Sequence, residues 1–150
     1  MSQQLPDTET LTFKIGLSGT FWDKGPAFSV WVNDNKLAAG EINSPGIHYV
    51  TFSESLRENE THSLKIRLEN KTEKDTIVIN DVIDKDMLLN IESIEIDDIE
   101  LESVKWSASV FYPDDPETKP VIPECVNLGW NGTYTLTFES PFYLWLLEKL

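Results

Sequence analysis

Asn80, Asp81, Asp84 and Asp86 lie within seven residues of one another. Side-chain oxygens at that density are ligands for a hard cation. Calcium takes about six to eight oxygens, from carboxylates, amides and backbone carbonyls, in a flexible geometry. Asp23, in a separate polar stretch, is the candidate ligand from elsewhere in the chain. The run is not an EF-hand: counted from Asp84 its fifth position is Leu88, and no glycine stands at the sixth. The bland alternative for the same residues is a solvated acidic turn.

Aromatic side chains are the second chemical resource. Trp22, Trp31, Trp106, Trp130 and Tyr134 offer π faces on which the C–H face of a sugar can stack, with neighbouring polar groups to fix its orientation. Trp106 and Tyr134 fall on the inward parity of strands and read as core. Trp22 and Trp31 are the candidate carbohydrate contacts. Catalysis has no such support. The chain carries no Gly-x-Ser-x-Gly elbow, no glycine-rich phosphate loop and no His-Glu-x-x-His. His48 and His62 stand fourteen residues apart without Cys or His companions, a poor start for a transition-metal site. The reading is therefore of a non-enzyme.

These residues need a scaffold, and the scaffold is legible as strands. From Asp84 to Glu102 the apolar residues Leu89 and Ile91, then Ile94 and Ile96, then Ile99 and Leu101 alternate with polar ones. The parity slips at Glu92-Ser93 and again at Asp97-Asp98. Each slip needs a bulge or tight turn, or every later side chain would face the wrong way. Leu11, Phe13, Ile15 and Leu17 form the clearest half-buried strand. Phe28, Val30 and Val32 follow, with Asn33-Asp34-Asn35 as turn chemistry and Leu37, Ala39 and Ile42 as the returning strand. Of two competing faces after Pro45, His48, Val50 and Phe52 are favoured inward over Ile47, Tyr49 and Thr51. Residues 54–62 read as a polar loop, and Leu64, Ile66 and Leu68 as the next strand. Ile77-Val78-Ile79 precedes an acidic loop, and Val104, Trp106, Ala108 and Val110 make a further strand.

Residues 112–124 hold four prolines and read as an extended surface loop. Residues 125–150 form a hairpin around Asn131-Gly132 and an apolar tail. Ser140-Pro141 ahead of Phe142–Leu150 fits a short helix, with Ser as N-cap and Pro at the first helical position; a buried strand fits the same run. Residues 1–10 read as a flexible start. Many short strands with turn signals between them predict an all-β fold, an antiparallel β-sandwich of jelly-roll type, as a single domain over 1–150.

The formal net charge is −14 over 150 residues. That repels nucleic-acid phosphate and anionic membrane, and leaves cations, neutral glycans and basic protein surfaces. Twelve carboxylates against three lysines fall between Glu69 and Glu102, which a soluble charged strand face would also explain. Cys125 is the only cysteine, so no intramolecular disulfide is available, and the expectation for it is a small buried hydrophobe. The opening Met-Ser-Gln-Gln-Leu-Pro-Asp lacks the basic and apolar regions of a signal peptide, so none is expected.

From Phe28 to Leu101 the order of features resembles the calcium-dependent xylan-binding modules, small β-sandwiches. The carrying residues are Phe28-Ser-Val-Trp-Val-Asn-Asp-Asn-Lys-Leu37, Leu68-Glu-Asn-Lys71 and Asp86-Met-Leu-Leu-Asn-Ile-Glu-Ser-Ile94. In that likeness Asp86 takes the aspartate of an Asp-Arg-Asn-Leu motif and Glu92 a later acidic position. The chain departs at Lys71, where the family has Asp, and at Met87-Leu88, where it has Arg-Asn. Over its whole length the chain also resembles virion-associated proteins of T4-like marine cyanophages. Here the likeness rests on Phe13–Lys24, Ile66–Thr72, Asp86–Ile99, Asn127–Thr133 and Ser140–Glu148.

The resemblances imply a non-catalytic binding module of a phage particle, made in the host cytoplasm, that contacts host carbohydrate with calcium as candidate cofactor. The alternative is a structural assembly protein of the virion, packing through its apolar tail on other virion proteins or on copies of itself. Neither reading involves nucleic acid or membrane.

Overall fold

The structure, a computed structural model, describes residues 7–150. Two antiparallel sheets face each other across one core. The first contains β1 (Thr8–Thr20), β4 (His48–Arg57), β8 (Leu88–Ile96), β9 (Ile99–Glu100) and β12 (Asn127–Leu128), in the order β12-β8-β1-β4 with β9 paired to β8. The second contains β2 (Ala27–Val32), β3 (Asn35–Glu41), β5 (Thr61–Leu68), β10 (Ser109–Pro113), β11 (Ile122–Pro123) and β13 (Gly132–Glu139), in the order β11-β10-β13-β5-β2-β3. The remaining pair, β6 (Ile77–Ile79) and β7 (Val82–Lys85), makes a separate hairpin. The expected all-β sandwich is the fold observed.

Period-two burial builds the core. Leu11, Phe13, Ile15 and Leu17 of β1 face Leu64, Ile66 and Leu68 of β5 and Tyr134, Leu136 and Phe138 of β13 across the sandwich, and all are essentially water-free. The two sheets meet directly where the rings of Phe13 and Phe138 lie 6.4 Å apart. Both expected parity slips are found. Gly16 pairs with Ser93 but Leu17 pairs with Ile91, so Glu92 is the extra residue of a bulge. Asp97 and Asp98 take φ of 50° and 65° as the two-residue turn joining β8 to β9. Asp tolerates that left-handed region better than most side chains.

Several element boundaries differ from the reading of the sequence. Residues 54–62 are mostly strand, because β4 runs to Arg57 and β5 starts at Thr61. The face carrying Val50 and Phe52 is the half-buried one, as expected, while Tyr49 is exposed. A bulge between Val30 and Trp31 shifts the β2–β3 register, so Leu37 and Ala38 pack against the core and Ala39 faces out. Asn131-Gly132 does not close the expected hairpin, because β12 before it pairs with β8 in the first sheet and β13 after it with β10 and β5 in the second. Val104–Val110 is not one strand. Val104–Ser107 closes a single helical turn, α1, before β10 begins, and Trp106 is 46% exposed instead of buried. Tyr134 is buried as expected, and its hydroxyl donates to the Lys105 carbonyl at 2.5 Å.

The C-terminal run is the helical alternative: α2 spans Phe142–Lys149. Its N-cap is Pro141, not Ser140. The Glu9 carboxylate does the capping, accepting the Phe142 N–H at 2.8 Å and the Ser140 hydroxyl. Phe142, Trp145 and Leu146 dock on the sandwich, with Phe142 and Trp145 edge-on to Phe138. No helix among the described residues is long and apolar enough to cross a membrane.

Candidate functional site

Loops converge at one end of the sandwich, and backbone-directed amides fasten them. Asn70 accepts the Ala27 N–H at 2.8 Å and donates to the Gly25 carbonyl at 3.0 Å. Asn131 reaches across to the same loop from the turn before β13: it accepts the Lys71 N–H at 2.8 Å and donates to the Lys71 carbonyl at 2.9 Å. Asp75 closes a 3-10 turn at Glu73–Asp75 by accepting the Thr72 N–H at 2.7 Å and hydroxyl at 3.0 Å, and pairs with Lys24 at 3.3 Å. Burial pushes the Asp75 carboxyl up, but the Thr72 donors and the Lys24 ammonium outweigh it and hold the group below the ordinary carboxylate value. Between these loops lies a cleft of about 760 Å3 whose walls include Trp130, Phe111, Asp86, Lys71 and Asn127.

The five expected calcium ligands do not converge. Asn80 and Asp81 occupy the tip of the β6–β7 hairpin with φ of 54° and 65°, a two-residue turn that the pairing of Ile79 with Val82 closes. Asp84 sits exposed in β7, and Asp23 is exposed in the β1–β2 loop. The acidic stretch expected as a loop is therefore the turn and return strand of a hairpin, because Asn-Asp accepts the left-handed backbone such turns need. Among the described residues no three His, Cys, Asp or Glu side chains gather closely enough to hold a metal.

Only Asp86 of the five faces the cleft, and what meets it there is a cation already in the chain. The Lys71 ammonium lies 2.7 Å from Asp86 Oδ1 and 2.5 Å from the Gly129 carbonyl. Asp86 Oδ1 also accepts the Thr76 hydroxyl at 2.7 Å and the Met87 N–H at 2.9 Å. Side-chain exposure is 10% for Lys71 and 20% for Asp86. Burial raises the Asp86 carboxyl pKa, yet Lys71, Thr76 and the Met87 N–H together bring it below the ordinary value. Donors surround this carboxylate, the reverse of a metal site in which oxygen acceptors share one focus. The residues present do not fit bound calcium.

The two predicted sugar-contacting tryptophans have different settings. Trp22 is 42% exposed, but its indole N–H donates to the Asp75 carbonyl at 3.0 Å and Lys85 Nζ lies 5.1 Å over its ring. It ties the β6–β7 hairpin to the loop end. Trp31 stands on the outward face of the second sheet, half-buried, its indole N–H held by Ser29 Oγ at 2.9 Å. Register places Trp31 beside Lys65, Lys65 beside Thr135, and Arg67 beside Thr133 and Tyr112 in turn. These residues line a groove of about 550 Å3. Three strand spacings separate β2 from β10, and the register sets Tyr112 two residues along from Trp31, so the two aromatic residues stand roughly 16 Å apart with a polar floor between them. Arg67 is fixed there by paired contacts to Asp114 at 2.9 and 3.2 Å and one to Thr133 at 2.6 Å.

Comparison with known structures matches this architecture. The chain superposes on vCBM60 in complex with galactobiose, with a TM-score of 0.55 at 9% identity over 83% of this chain and 96% of that one. The likeness is one of fold, a two-sheet antiparallel β-sandwich. A second match is the selenomethionine form of vCBM60, described with circular permutation as a link between two families of calcium-dependent carbohydrate-binding modules; its TM-score is also 0.55 at 9% identity, covering 84% of this chain and 89% of that one. No protein-family model matches the chain, and no curated protein does.

Sequence reasoning singled out Trp31 but missed its companions. Tyr112 ends an alternating strand beside Pro113 and could have been placed on the outward parity of β10. Arg67 and Lys65 read only as the wet face of β5. Lys71 carried a signal, since it breaks the pattern of the xylan-binding modules where they have Asp.

Proposed function

We propose that this chain is a non-catalytic carbohydrate-binding module whose ligand lies in the groove between Trp31 and Tyr112. The carrying observation is that pair of aromatic side chains flanking Lys65, Arg67, Thr133 and Thr135 on one sheet face. Stacking suits the apolar faces of pyranose rings, and hydroxyl, ammonium and guanidinium groups can bond the ring hydroxyls between them. The sandwich fold shared with vCBM60, a module solved with galactobiose, supports the reading. A groove of this size and length accommodates about two or three sugar units.

The test is a glycan array of plant and bacterial oligosaccharides, galactobiose and xylooligosaccharides included, followed by titration calorimetry. Trp31→Ala and Tyr112→Ala should each weaken binding at least tenfold, about 1.4 kcal/mol. Absence of any glycan binding, or binding indifferent to both variants, overturns the assignment.

A second reading, assembly within a virion, rests on α2. Its inner face is docked, while Tyr143, Leu144, Leu147 and Leu150 stay between 49% and 84% exposed. A contiguous apolar surface of that kind marks a partner site. Light scattering separates the readings: an oligomer that Leu144→Glu/Leu147→Glu disperses without loss of melting temperature favours assembly, and a monomer disfavours it.

A further inference from the structure

We propose that the Lys71 ammonium takes the place of a divalent cation at the loop end of this sandwich, so that the fold holds together there without calcium. This focus lies in the cleft, apart from the Trp31–Tyr112 groove. A carboxylate oxygen from the start of β8 and a carbonyl oxygen from the β12–β13 turn meet at one point. These are the oxygen types calcium selects, supplied by two separate segments that a cation would cross-link. The third segment, the loop after β5, brings its own positive charge to that point.

The ammonium is not free to leave. Both the N–H and the C=O of Lys71 are held by the side chain of Asn131, so the root of the lysine is fixed. Only 10% of the Lys71 side chain is exposed. Asp86 Oδ1 already accepts three donors. A metal ion at the same focus would sit against a fixed like charge and compete with those donors. One lysine thus joins the β5 loop, the β8 entry and the β13 turn, the cross-link an ion would otherwise supply.

Thermal unfolding in calcium chloride and in EGTA tests this without reference to sugar. The wild-type chain should melt at the same temperature in both; a rise with calcium overturns the proposal, because an ion that binds the folded state must stabilise it. Lys71→Met should melt roughly 6–10 °C lower in both solutions, since it leaves Asp86 without its partner. Lys71→Asp places a second carboxylate beside Asp86 and the Gly129 carbonyl. It should melt below wild type in EGTA and recover with calcium, with a matching heat in calorimetric titration. A folded Lys71→Asp that ignores calcium also overturns the proposal. The wild-type comparison needs no variant and is decisive if a variant fails to fold.

Discussion

Asp75 shows how a single side chain can hold a loop in place. Its carboxylate takes two donors from Thr72 and the ammonium of Lys24, while its carbonyl takes the indole N–H of Trp22. Asp75→Asn should cost about 2 kcal/mol at neutral pH, read from urea unfolding, because a buried charge-assisted contact is lost. The carboxyl is more acidic folded than the ordinary aspartate value of 3.8. Its contribution is therefore complete above that value and disappears as pH falls through the lower folded one. The gap between wild type and Asp75→Asn should close in acid, and a gap unchanged down to about pH 2 would contradict the assignment. Little of this was legible in the sequence. The acidic residues could be counted, but which of them meets Lys24, Lys71 or bulk water is decided by contacts between residues 15 to 51 positions apart. Trp31 was legible because strand parity alone sends it outward.

At the scale of elements, the most informative residues were those that break a pattern. Glu92 and Asp97-Asp98 announced a bulge and a turn because alternation fails there, and both exist. Val104–Val110 misled for the converse reason: its alternation is regular, yet Glu102 at φ 52° redirects the chain and a helical turn fits the same spacing. Asp81, a candidate ligand by its residue type, is a turn residue. Asp81→Gly should stabilise the chain by about 0.5 kcal/mol, since glycine takes positive φ without steric cost; calorimetric unfolding reads this, and destabilisation would show a role the turn does not explain. The helix cap was missed because its carboxylate lies more than 130 positions upstream. Glu9→Ala should lower stability by about 1 kcal/mol, and the melting of α2 followed by Trp145 fluorescence would reveal it.

For the molecule as a whole, composition and periodicity predicted the two-sheet architecture, because one buried face per strand leaves few other ways to close a core. They could not give the strand order, which depends on how distant strands pair. Among the described residues every buried side-chain nitrogen or oxygen has a partner, which is the condition a polar loop end must meet to remain ordered. Charge is the main global opposing effect. With a net −14, self-repulsion weakens the folded state, and added sodium chloride screens it. The melting temperature should rise by a few degrees from low to physiological salt; a fall would mean that local ion pairs, such as Arg67–Asp114, outweigh the global field.

Glu9 has a topological consequence. By gripping the first turn of α2 it keeps the beginning of β1 within one short helix of the final residue. A glycine-rich bridge could join Asp7 to Leu150, and the chain could be reopened between Asn80 and Asp81, where both residues lie in solvent. The cut opens only the β6–β7 hairpin, which lies outside both large sheets, so the sandwich should accept a new starting point and still fold to the same shape.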